Sequence, residues 1–386
     1  MRILPAFAGF TRLCAGFCKE PRGSFNLSQG DKMRKIISII IGVTLTLLMV
    51  GGYAWAGKPT VGMVLVGPKA DGGWSMRHYQ GIKETGYEFG LVEVVPEADS
   101  ERVFGSLARK YDVIIGTSFG YMEAMLRVAK KFPDKTFLHA TGYKTAKNLD
   151  NYNCRLFQAR YLAGVAAGML SKTNKIGFVG SHPIPEIISN INAATLGARS
   201  VNPKVTVEII WINSWFDPGK DKDAANALFE NGADVLFTTT DSPSVVILAQ
   251  NKSTSAKPLW GMGNDAPMNS YGPDRYATGP MFNWSVLYSH YLEKVSSGNF
   301  EVERPFWGLK SGCVTLSPWG PNVPAKVVNY VEAEKAKFVS EQYDAQFPFS
   351  SGFKTQSGKN QTINERLGID TMSFFVDGIS SKFPVQ

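Results

Sequence analysis

Short runs of β-branched and apolar residues alternate with longer amphipathic stretches along most of this chain. The stretches Tyr121–Phe132, Ile187–Ser200 and Asp221–Asn231 carry apolar residues at helical spacing. Such alternation favours parallel β-sheets with helices on both faces. The strand-like runs are Thr60–Val66, Val92–Val95, Asp112–Ile115, Thr136–His139, Lys175–Val179, Val205–Trp211, Asp234–Thr238 and Pro258–Gly261.

The length of this α/β region predicts two lobes. About 330 residues follow residue 56, which is more than one core commonly holds. The polar segment Thr141–Tyr152 separates two strand–helix series and predicts a boundary. Whether the C-terminal extension covers a cleft or completes a lobe stays open. We assign 57–148 with 283–308 to lobe 1, 149–282 with 309–345 to lobe 2, and 346–386 to that extension.

The segment 33–56 has the three parts of a secretion signal. Met33-Arg34-Lys35 is basic, Ile36 to Val50 is apolar, and Ala54-Trp55-Ala56 is a small-x-small cleavage site. The alternative is an uncleaved anchor, but a spanning helix needs about 20 residues and the apolar run is shorter. We therefore expect cleavage after Ala56 and export to the periplasm, without a lipid anchor because Gly57 rather than a Cys directly follows the cleavage site.

Residues 1–32 precede that signal and fit no element, so we interpret them as translated upstream sequence. Setting residues 1–56 aside changes the charge, because seven of the 41 basic residues but only two of the 33 acidic ones lie there. The remaining chain has a net charge of only about +3 and no basic stripe, which argues against a nucleic-acid partner.

Two cysteines remain beyond the signal, Cys154 and Cys313. An exported protein could pair them, but their spacing says nothing about proximity, and buried free thiols are the favoured interpretation. Neither lies in a Cys/His cluster, so the sequence predicts no metal site.

Loops that follow the predicted strands carry aromatic and polar side chains. Ligands of open parallel sheets bind beyond the carboxyl ends of the strands, so these loops predict the site. Aromatic rings from two lobes could clamp a flat ring, beside polar groups that read its edge, and glycines allow close backbone approach. The candidates from these loops are Trp74, Phe119, Gly120, His139, Thr141, Trp215, Asp241, Asn264 and Asp265.

The ring-bearing candidates also have structural interpretations. Trp74 could cap the sheet edge and Phe119 could pack in the core. At least one of Trp215 and Phe216 is expected to pack, because both precede a turn into a helix. His139 could be a buried structural histidine.

The polar candidates have alternatives as well. Asp241 could be the N-cap of the next helix, and the same objection applies to Asp265. Lys310 follows a glycine in a loop, where a solvated lysine is the default.

One segment of the sequence is compatible with a serine hydrolase. Gly116–Gly120 matches the G-x-S-x-G nucleophile elbow between a strand and a helix. Ser118 would then need an acid and a base such as Asp241 and His290. His290 lies within the predicted helix Trp284–Val295 rather than on a loop, so we expect no catalysis.

Seven segments spread over residues 59–320 carry a family resemblance. They are Asp71–Trp74, Thr117–Met122, Lys131–Lys144, Arg160–Leu170, Asn213–Lys220, Thr240–Ser242 and Phe306–Lys310. These segments resemble the basic membrane protein (BMP, PnrA-like) family of ABC importer substrate-binding proteins. The resemblance implies a two-lobed periplasmic binding protein type I fold, no cofactor, and a purine-type ligand, either a nucleoside or free adenine. Trp74, where nucleoside-binding relatives often have Phe-Asn, tilts the expectation toward a free base.

The family's binding positions carry over to particular residues. They imply Trp74 and Phe119 as walls, and Asp241, Asn264 or Asp265, and Lys310 as polar groups that read the ligand. Asn283 stands where relatives often have an acid, which removes a charge that could bind a hydroxyl or N–H.

The resemblance also implies how the protein works. We expect a monomeric receptor that closes on its ligand and delivers it to permease subunits in the inner membrane. A sensory receptor of the same fold is the alternative from another class, and a sugar or amino acid is the alternative ligand.

Overall fold

The computed structural model describes residues 58–384. The predicted signal segment and the residues before it lie outside this range. The β-strands of the described residues are β1 Val61–Val64, β2 Phe89–Val92, β3 Val113–Gly116, β4 Thr136–Ala140, β5 Leu149–Cys154, β6 Lys175–Gly180, β7 Thr206–Trp211, β8 Val235–Thr238, β9 Trp260–Gly261, β10 Pro280–Phe282, β11 Phe306–Trp307, β12 Val314–Leu316, β13 Phe353–Lys354 and β14 Asn360–Gln361.

Ten of these strands form two parallel sheets. The first has the order β11-β5-β4-β3-β1-β2 and the second the order β7-β6-β8-β9, with every neighbouring pair parallel. Strands β10 and β12 form a small antiparallel sheet, and so do β13 and β14. All residues of β1, β3 and β8 are buried, as expected of parallel strands covered on both faces. The predicted α/β class is confirmed.

Helices connect the strands in the alternating pattern that the sequence predicts. Their bounds are α1 Trp74–Glu84, α2 Ser100–Ala108, α3 Met122–Lys131, α4 Leu156–Leu170, α5 Pro185–Val201, α6 Pro218–Glu230, α7 Ser244–Lys252, α8 Trp284–Ser296, α9 Ala325–Val339 and α10 Arg366–Asp370.

Local sequence explains where several helices begin. Helix α6 starts behind Asp217, whose carboxylate accepts the backbone N–H of Lys220 at 3.0 Å, a side-chain N-cap. Pro218 and Pro185 occupy the first turns of α6 and α5, where a missing N–H costs nothing.

Helices α4 and α5 pack backbone to backbone. A Cβ at Gly164 of α4 would lie 2.1 Å from the carbonyl oxygen of Ala194 in α5. Only glycine allows this approach. The contact places the first turn of α5 beside the first turn of α4.

One predicted boundary falls inside the first sheet. The sequence predicts a polar link over Thr141–Tyr152, but β5 occupies part of it and pairs with β4. Its polar residues are buried because the structure satisfies them: Asp150 accepts the Tyr291 hydroxyl at 2.7 Å and the Glu303 N–H at 2.9 Å. The chain therefore leaves the first sheet after Cys154, and the division into lobes stays a prediction.

The second strand is also displaced from its predicted position. The sequence predicts Val92–Val95, whereas β2 ends at Val92. Val94 has a φ of 55°, a left-handed conformation that a β-branched residue rarely adopts. The chain turns there, so the strand cannot continue.

A disulfide joins Cys154 to Cys313, although the sequence favours free thiols. Cys154 ends β5 in the first sheet, and Cys313 directly precedes β12. Both residues are buried. The bond therefore links the segment that leaves the first sheet after β5 to the segment that follows β11 of the same sheet.

The C-terminal extension packs along the second sheet. The Val207 N–H donates to the Gly378 carbonyl at 2.8 Å, and Ser380 N–H donates back to the Val207 carbonyl at the same distance. Ile379 thereby bridges Val207 of β7 in parallel. None of the helices within residues 58–384 combines the length and the apolar character that crossing a bilayer requires.

Candidate functional site

A cavity lies between the carboxyl ends of the two parallel sheets. It holds about 650 Å³ of empty volume, part of it open to solvent. Loops after β1, β3 and β4 line one side, and segments after β6, β7, β8 and β9 line the other, the edge at which α/β proteins bind ligands. Seven of the residues predicted to bind ligand lie in its walls: Trp74, Phe119, Thr141, Trp215, Asp241, Asn264 and Asp265.

Trp74 begins α1 and forms a rigid part of the wall. Its indole Nε1 donates to the Thr117 carbonyl at 2.6 Å, and its backbone N–H donates to Asp241 Oδ1 at 2.7 Å. Its ring meets the rings of Phe282 and Trp284 edge-on at centroid distances of 5.5 and 5.4 Å. Because Asp241 follows β8, the backbone bond joins the two sides of the cavity.

The contact between Trp74 and Asp241 depends on Gly73. A Cβ at Gly73 would lie 2.3 Å from Asp241 Oδ1. No other residue fits there without moving one of the two loops. The Gly73 N–H donates to Asp71 Oδ1 at 2.9 Å, which fixes the turn into α1.

A buried arginine organises the second side of the cavity. Arg160 of α4 is 1% exposed and donates to the Thr238 carbonyl at 3.3 Å and to Asn264 Oδ1. Asn264 in turn donates to the Thr240 carbonyl at 3.1 Å. These bonds fix the loops after β8 and β9 relative to each other.

Three carboxyl groups share the cavity. Burial raises the pKa of Asp265 to about 7, although nearby Arg160 acts in the opposite direction. Burial also raises the pKa of Asp241, and the negative charges of Asp71 and Asp265 add to the effect. The pKa of Glu186 is raised to about 7, again mainly by burial. Three carboxyl groups and one arginine, Arg160, are therefore among the lining residues.

The aromatic side chains Phe119 and Trp215 line the cavity without being buried. Phe119 is 44% exposed and Trp215 is 37% exposed, so neither is a core residue. His182 packs against Trp215 with a centroid distance of 4.8 Å. Phe216 is also exposed but is not among the lining residues.

Two lining residues have strained backbones. Thr141 has a φ of 64° and Asp265 a φ of 58°. Aspartate tolerates this left-handed conformation, whereas β-branched threonine rarely adopts it. The Thr141 N–H donates to the Tyr152 carbonyl at 2.8 Å, which holds the residue in place. Such strain concentrates at functional sites.

Two predicted residues of the first lobe lie behind the cavity wall. His139 is fully buried, and its Nε2 lies 2.7 Å from the Ser118 carbonyl, so Nε2 carries the hydrogen. Burial lowers its pKa to about 4, and the histidine is neutral. A Cβ at Gly120 would overlap the Glu97 carboxylate. Both residues support the loop after β3 and do not line the cavity.

Asn283 and Lys310 are also absent from the cavity lining. Asn283 precedes α8 and accepts the Ser285 hydroxyl at 2.7 Å. Lys310 points to Glu341 at 2.7 Å, with 59% of its side chain exposed. The solvated interpretation of Lys310 matches this geometry, whereas the resemblance to the family implies a binding role.

The lining residues that the sequence prediction missed include Arg160, Glu186 and Asn190. The last two lie four residues apart on α5, so they share one helix face. The sequence does hold a signal for these two residues. Helix α5 begins shortly after β6, so its first turn lies at the same sheet edge as the other loops. Arg160 lies mid-helix among apolar residues, where nothing local indicates which way it points.

A second, wider cavity adjoins the first. It holds about 1410 Å³ of empty volume, part of it open to solvent. The lining residues that it shares with the first cavity are Phe119, Thr141, Leu156, Ile184, Glu186 and Asn190. Its far wall comes from the C-terminal extension, through Leu367 and the residues that follow it.

The hydrolase interpretation finds no support in this geometry. The Ser118 hydroxyl donates to Glu97 at 2.9 Å, and His290 Nε2 lies 2.8 Å from Glu303. Asp241 accepts from the Trp74 backbone instead of a histidine. Across the described part of the chain, no group of three or more His, Cys, Asp or Glu residues could hold a metal ion.

Residues 58–347 match the sequence model of a family described as "ABC transporter substrate-binding protein PnrA-like". A purine-binding protein of Brucella abortus is 38% identical over 354 residues, which cover 88% of this chain and 99% of the relative. A Haloferax volcanii protein named as an ABC transporter glucose-binding protein is 36% identical over 340 residues, covering 86% of this chain and 83% of the relative.

Solved structures share the fold. A solute-binding protein of an ABC transporter system from Aeropyrum pernix superposes with a TM-score of 0.63 at 17% identity, covering 81% of this chain and 95% of that structure. One from Conexibacter woesei gives a TM-score of 0.62 at 23% identity, covering 74% of this chain and 97% of that structure. The predicted periplasmic binding protein type I fold is confirmed.

Proposed function

The chain belongs to the PnrA-like family of ABC transporter substrate-binding proteins, and we propose that its ligand is a purine base or nucleoside. The ligand occupies the cavity between the two sheets and passes from there to permease subunits in the membrane. The protein itself binds and carries the ligand and does no chemistry on it.

The composition of the cavity wall carries this proposal. Trp74, Phe119 and Trp215 bring aromatic rings to one cavity, and base–aromatic stacking contributes about 1–3 kcal/mol per base. Asp241 and Asp265 add acceptors that suit the N–H groups of a purine. The name of the Brucella abortus relative supports the same ligand class.

Closure of the lobes would retain the ligand. The Trp74–Asp241 bond already joins the two sides of the cavity at 2.7 Å. A ligand that contacts both sides binds the closed arrangement better than an open one and shifts the population toward it. The permease would then recognise the closed form.

Export completes the proposal. Family membership fits a protein that works outside the cytoplasm. We propose that cleavage after Ala56 releases a monomer into the periplasm without a lipid anchor. Mass spectrometry of the exported protein tests this, because an N-terminus other than Gly57 contradicts the cleavage site.

Calorimetry with adenine, guanine, adenosine and guanosine tests the ligand class. We expect at least one to bind with a Kd of micromolar order, about −8 kcal/mol. If none binds below roughly 100 μM, the purine proposal is wrong.

A sugar is the second candidate ligand. The name of the Haloferax volcanii relative favours it, and aromatic rings beside carboxylates can also bind a pyranose. Titration with glucose under the same conditions separates the two candidates, because tight glucose binding without purine binding selects the sugar.

A further inference from the structure

The second cavity changes in character with distance from the first. Where the two cavities meet, Glu186 and Asn190 of α5 bring polar groups to the lining of both. Beyond this junction, the outer part of the second cavity has aromatic and aliphatic side chains from several chain segments: Tyr143, Phe157, Phe306, Leu367 and Ile369. A molecule that fills both cavities should therefore be polar at one end and apolar at the other.

The polar side chains of the outer part already have partners within the protein. The Ser189 and Thr371 hydroxyls donate to backbone carbonyls at 2.8 and 2.7 Å. Asp370 accepts a guanidinium N–H at 3.0 Å, and Asn153 accepts a backbone N–H at 2.7 Å. Arg304 is exposed to solvent. What the outer part offers to a ligand is therefore mainly apolar contact.

Three large apolar side chains of the second cavity are exposed. Leu367 of α10 is 67% exposed, Tyr143 is 55% exposed and Phe119 is 44% exposed. The rings of Phe119 and Tyr143 lie 6.4 Å apart between centroids. A single exposed apolar residue is ordinary, whereas several that line one cavity are typical of a binding surface.

We infer that the second cavity is a subsite for an apolar substituent of the ligand, and that this protein prefers purines with an alkyl or aryl arm at N6 or N9 to the unsubstituted base. The inference rests on the proposed function, because the purine ring has to occupy the first cavity. The arm would pass the junction at Glu186 and Asn190 and pack against the outer part. Each methylene that it buries there raises the affinity about fourfold.

The adjacency of the two cavities favours a substituent of the ligand as the occupant. Six residues line both cavities, so an arm on a ring in the first cavity lies next to the second. The far wall contains residues 367–371 of the C-terminal extension, and the family match ends at residue 347. The subsite therefore depends on a part of the chain that the family model does not describe.

A ligand series on the unaltered protein is the first test. Calorimetry compares adenine with N6-butyladenine and 9-butyladenine, whose arms leave the ring in different directions. At least one of them should bind about tenfold or more tightly than adenine, as expected for two or more buried methylenes. If neither does, the second cavity has another occupant, such as a segment of the permease, and the inference is overturned while the proposed function stands. If no purine binds, with or without an arm, the proposed function itself fails.

A polar arm of the same length tests the chemistry of the subsite. The butyladenine that binds more tightly is compared with the adenine that carries a 3-hydroxypropyl group at the same position. The hydroxyl version should lose most of the gain, because burying a hydroxyl beside apolar side chains costs free energy. Equal gains for the two arms would contradict an apolar subsite.

Substitutions in the outer part locate the arm. Leu367→Asp places a charge beside it and should lower the ratio of butyladenine affinity to adenine affinity at least about fivefold. Tyr143→Ser removes an aromatic ring from the lining and should lower the same ratio. The ratio within each variant is independent of the fraction of folded protein, so partial unfolding cannot imitate the result.

Val339→Asp and Tyr330→Ser are the matched controls. Both residues lie on α9, are 49% and 44% exposed, and are absent from the lining of either cavity. Their affinity ratios should equal that of the unaltered protein. If the ratios in Leu367→Asp and Tyr143→Ser also equal it, the arm does not lie in the second cavity and the inference is overturned.

Discussion

Trp74 combines a structural and a binding role in one side chain. Its backbone and indole hydrogens are bonded to Asp241 and Thr117, while the side chain lines the cavity. The ring is therefore positioned before a ligand arrives, which lowers the entropy cost of stacking.

Trp74→Ala should weaken adenine binding by about 1–3 kcal/mol, the contribution of one aromatic stack. Calorimetry measures the loss. Trp319→Ala is a suitable control, because the Trp319 indole also donates a hydrogen bond, to Glu332 at 3.0 Å, yet is not among the cavity-lining residues. Equal affinity in Trp74→Ala and the unaltered protein would limit Trp74 to packing.

Glu186 should make folding stability depend on pH. Its pKa is raised from 4.5 to about 7, first by burial and then by the charges of Asp265 and Asp370, while Arg366 lowers it. An acid with a raised pKa binds more protons in the folded state, so its contribution to the free energy of unfolding falls as pH rises from about 4.5 to about 7.

The glutamine in Glu186→Gln cannot titrate. The free energy of unfolding of this variant should therefore fall less over this pH window than that of the unaltered protein. Urea denaturation of the ligand-free protein at pH 5 and pH 7.5 measures the difference. Glu230→Gln, an exposed change of the same charge on α6, should leave the loss unaltered. An equal decrease in the free energy of unfolding for Glu186→Gln and the unaltered protein would contradict the prediction.

Sequence reasoning located the residues whose position follows from topology. Trp74, Asp241 and Asp265 lie in loops after strands, and parallel strands bring those loops to one edge. It did not locate Arg160, because side-chain direction within a buried helix depends on packing partners. Lys310 lies outside the cavity lining and forms an ion pair with Glu341. Loop composition does not indicate this partner, because Glu341 lies 31 positions further along the chain.

At the scale of elements, β5 is a buried strand that its polar sequence does not indicate. Its asparagines and Asp150 resemble a linker, yet the strand is buried. The bonds that satisfy Asp150 come from Tyr291 and Glu303, about 140 to 150 positions away in the chain. Such long-range compensation leaves no local signal, whereas the apolar strands β1, β3 and β8 were predicted within about two residues because burial alone defines them.

The disulfide from β5 to the residue before β12 should be a main source of stability. It closes a loop with a sequence separation of 159, for which the chain-entropy model gives up to about 5 kcal/mol. The Cys154→Ser/Cys313→Ser variant should therefore unfold at lower urea than the oxidised protein.

Reduction of the unaltered protein should lower its urea midpoint to near that of the double variant. The double variant serves as the control, because a reductant should not change its own midpoint. An unchanged midpoint on reduction of the unaltered protein, with loss of the bond verified by mass, would show that the bond contributes nothing to stability.

At the scale of the whole molecule, the C-terminal extension connects the two parallel sheets. Its end hydrogen-bonds to β7 of the second sheet, while α10 reaches the first sheet through Arg366. The Arg366 guanidinium donates to the Arg304 carbonyl at 2.8 Å and lies 4.6 Å from the centre of the Phe306 ring in β11. The family match ends at residue 347, so most of the extension lies beyond the matched region, whereas its partners Arg304 and Phe306 lie within it.

Arg366→Ala should accelerate ligand release. If opening of the lobes separates the two sheets, it must break the Arg366 contacts, and their loss removes about 1–2 kcal/mol from the closed arrangement. Dissociation of adenine, followed by tryptophan fluorescence in a stopped-flow instrument, should become about 5- to 30-fold faster. Arg366→Lys should give a smaller increase, because lysine keeps the charge but loses the planar group that stacks on Phe306.

Arg199→Ala provides the matched control for this experiment. Arg199 also holds the extension, through Asp377 at 3.0 Å, but it donates to the Val205 carbonyl beside β7 and so stays on the second sheet. Its loss should loosen the extension without changing the dissociation rate. Similar rates for Arg366→Ala and Arg199→Ala would show that the extension only covers the second sheet, whereas a faster rate for Arg366→Ala alone assigns it to retention of the ligand.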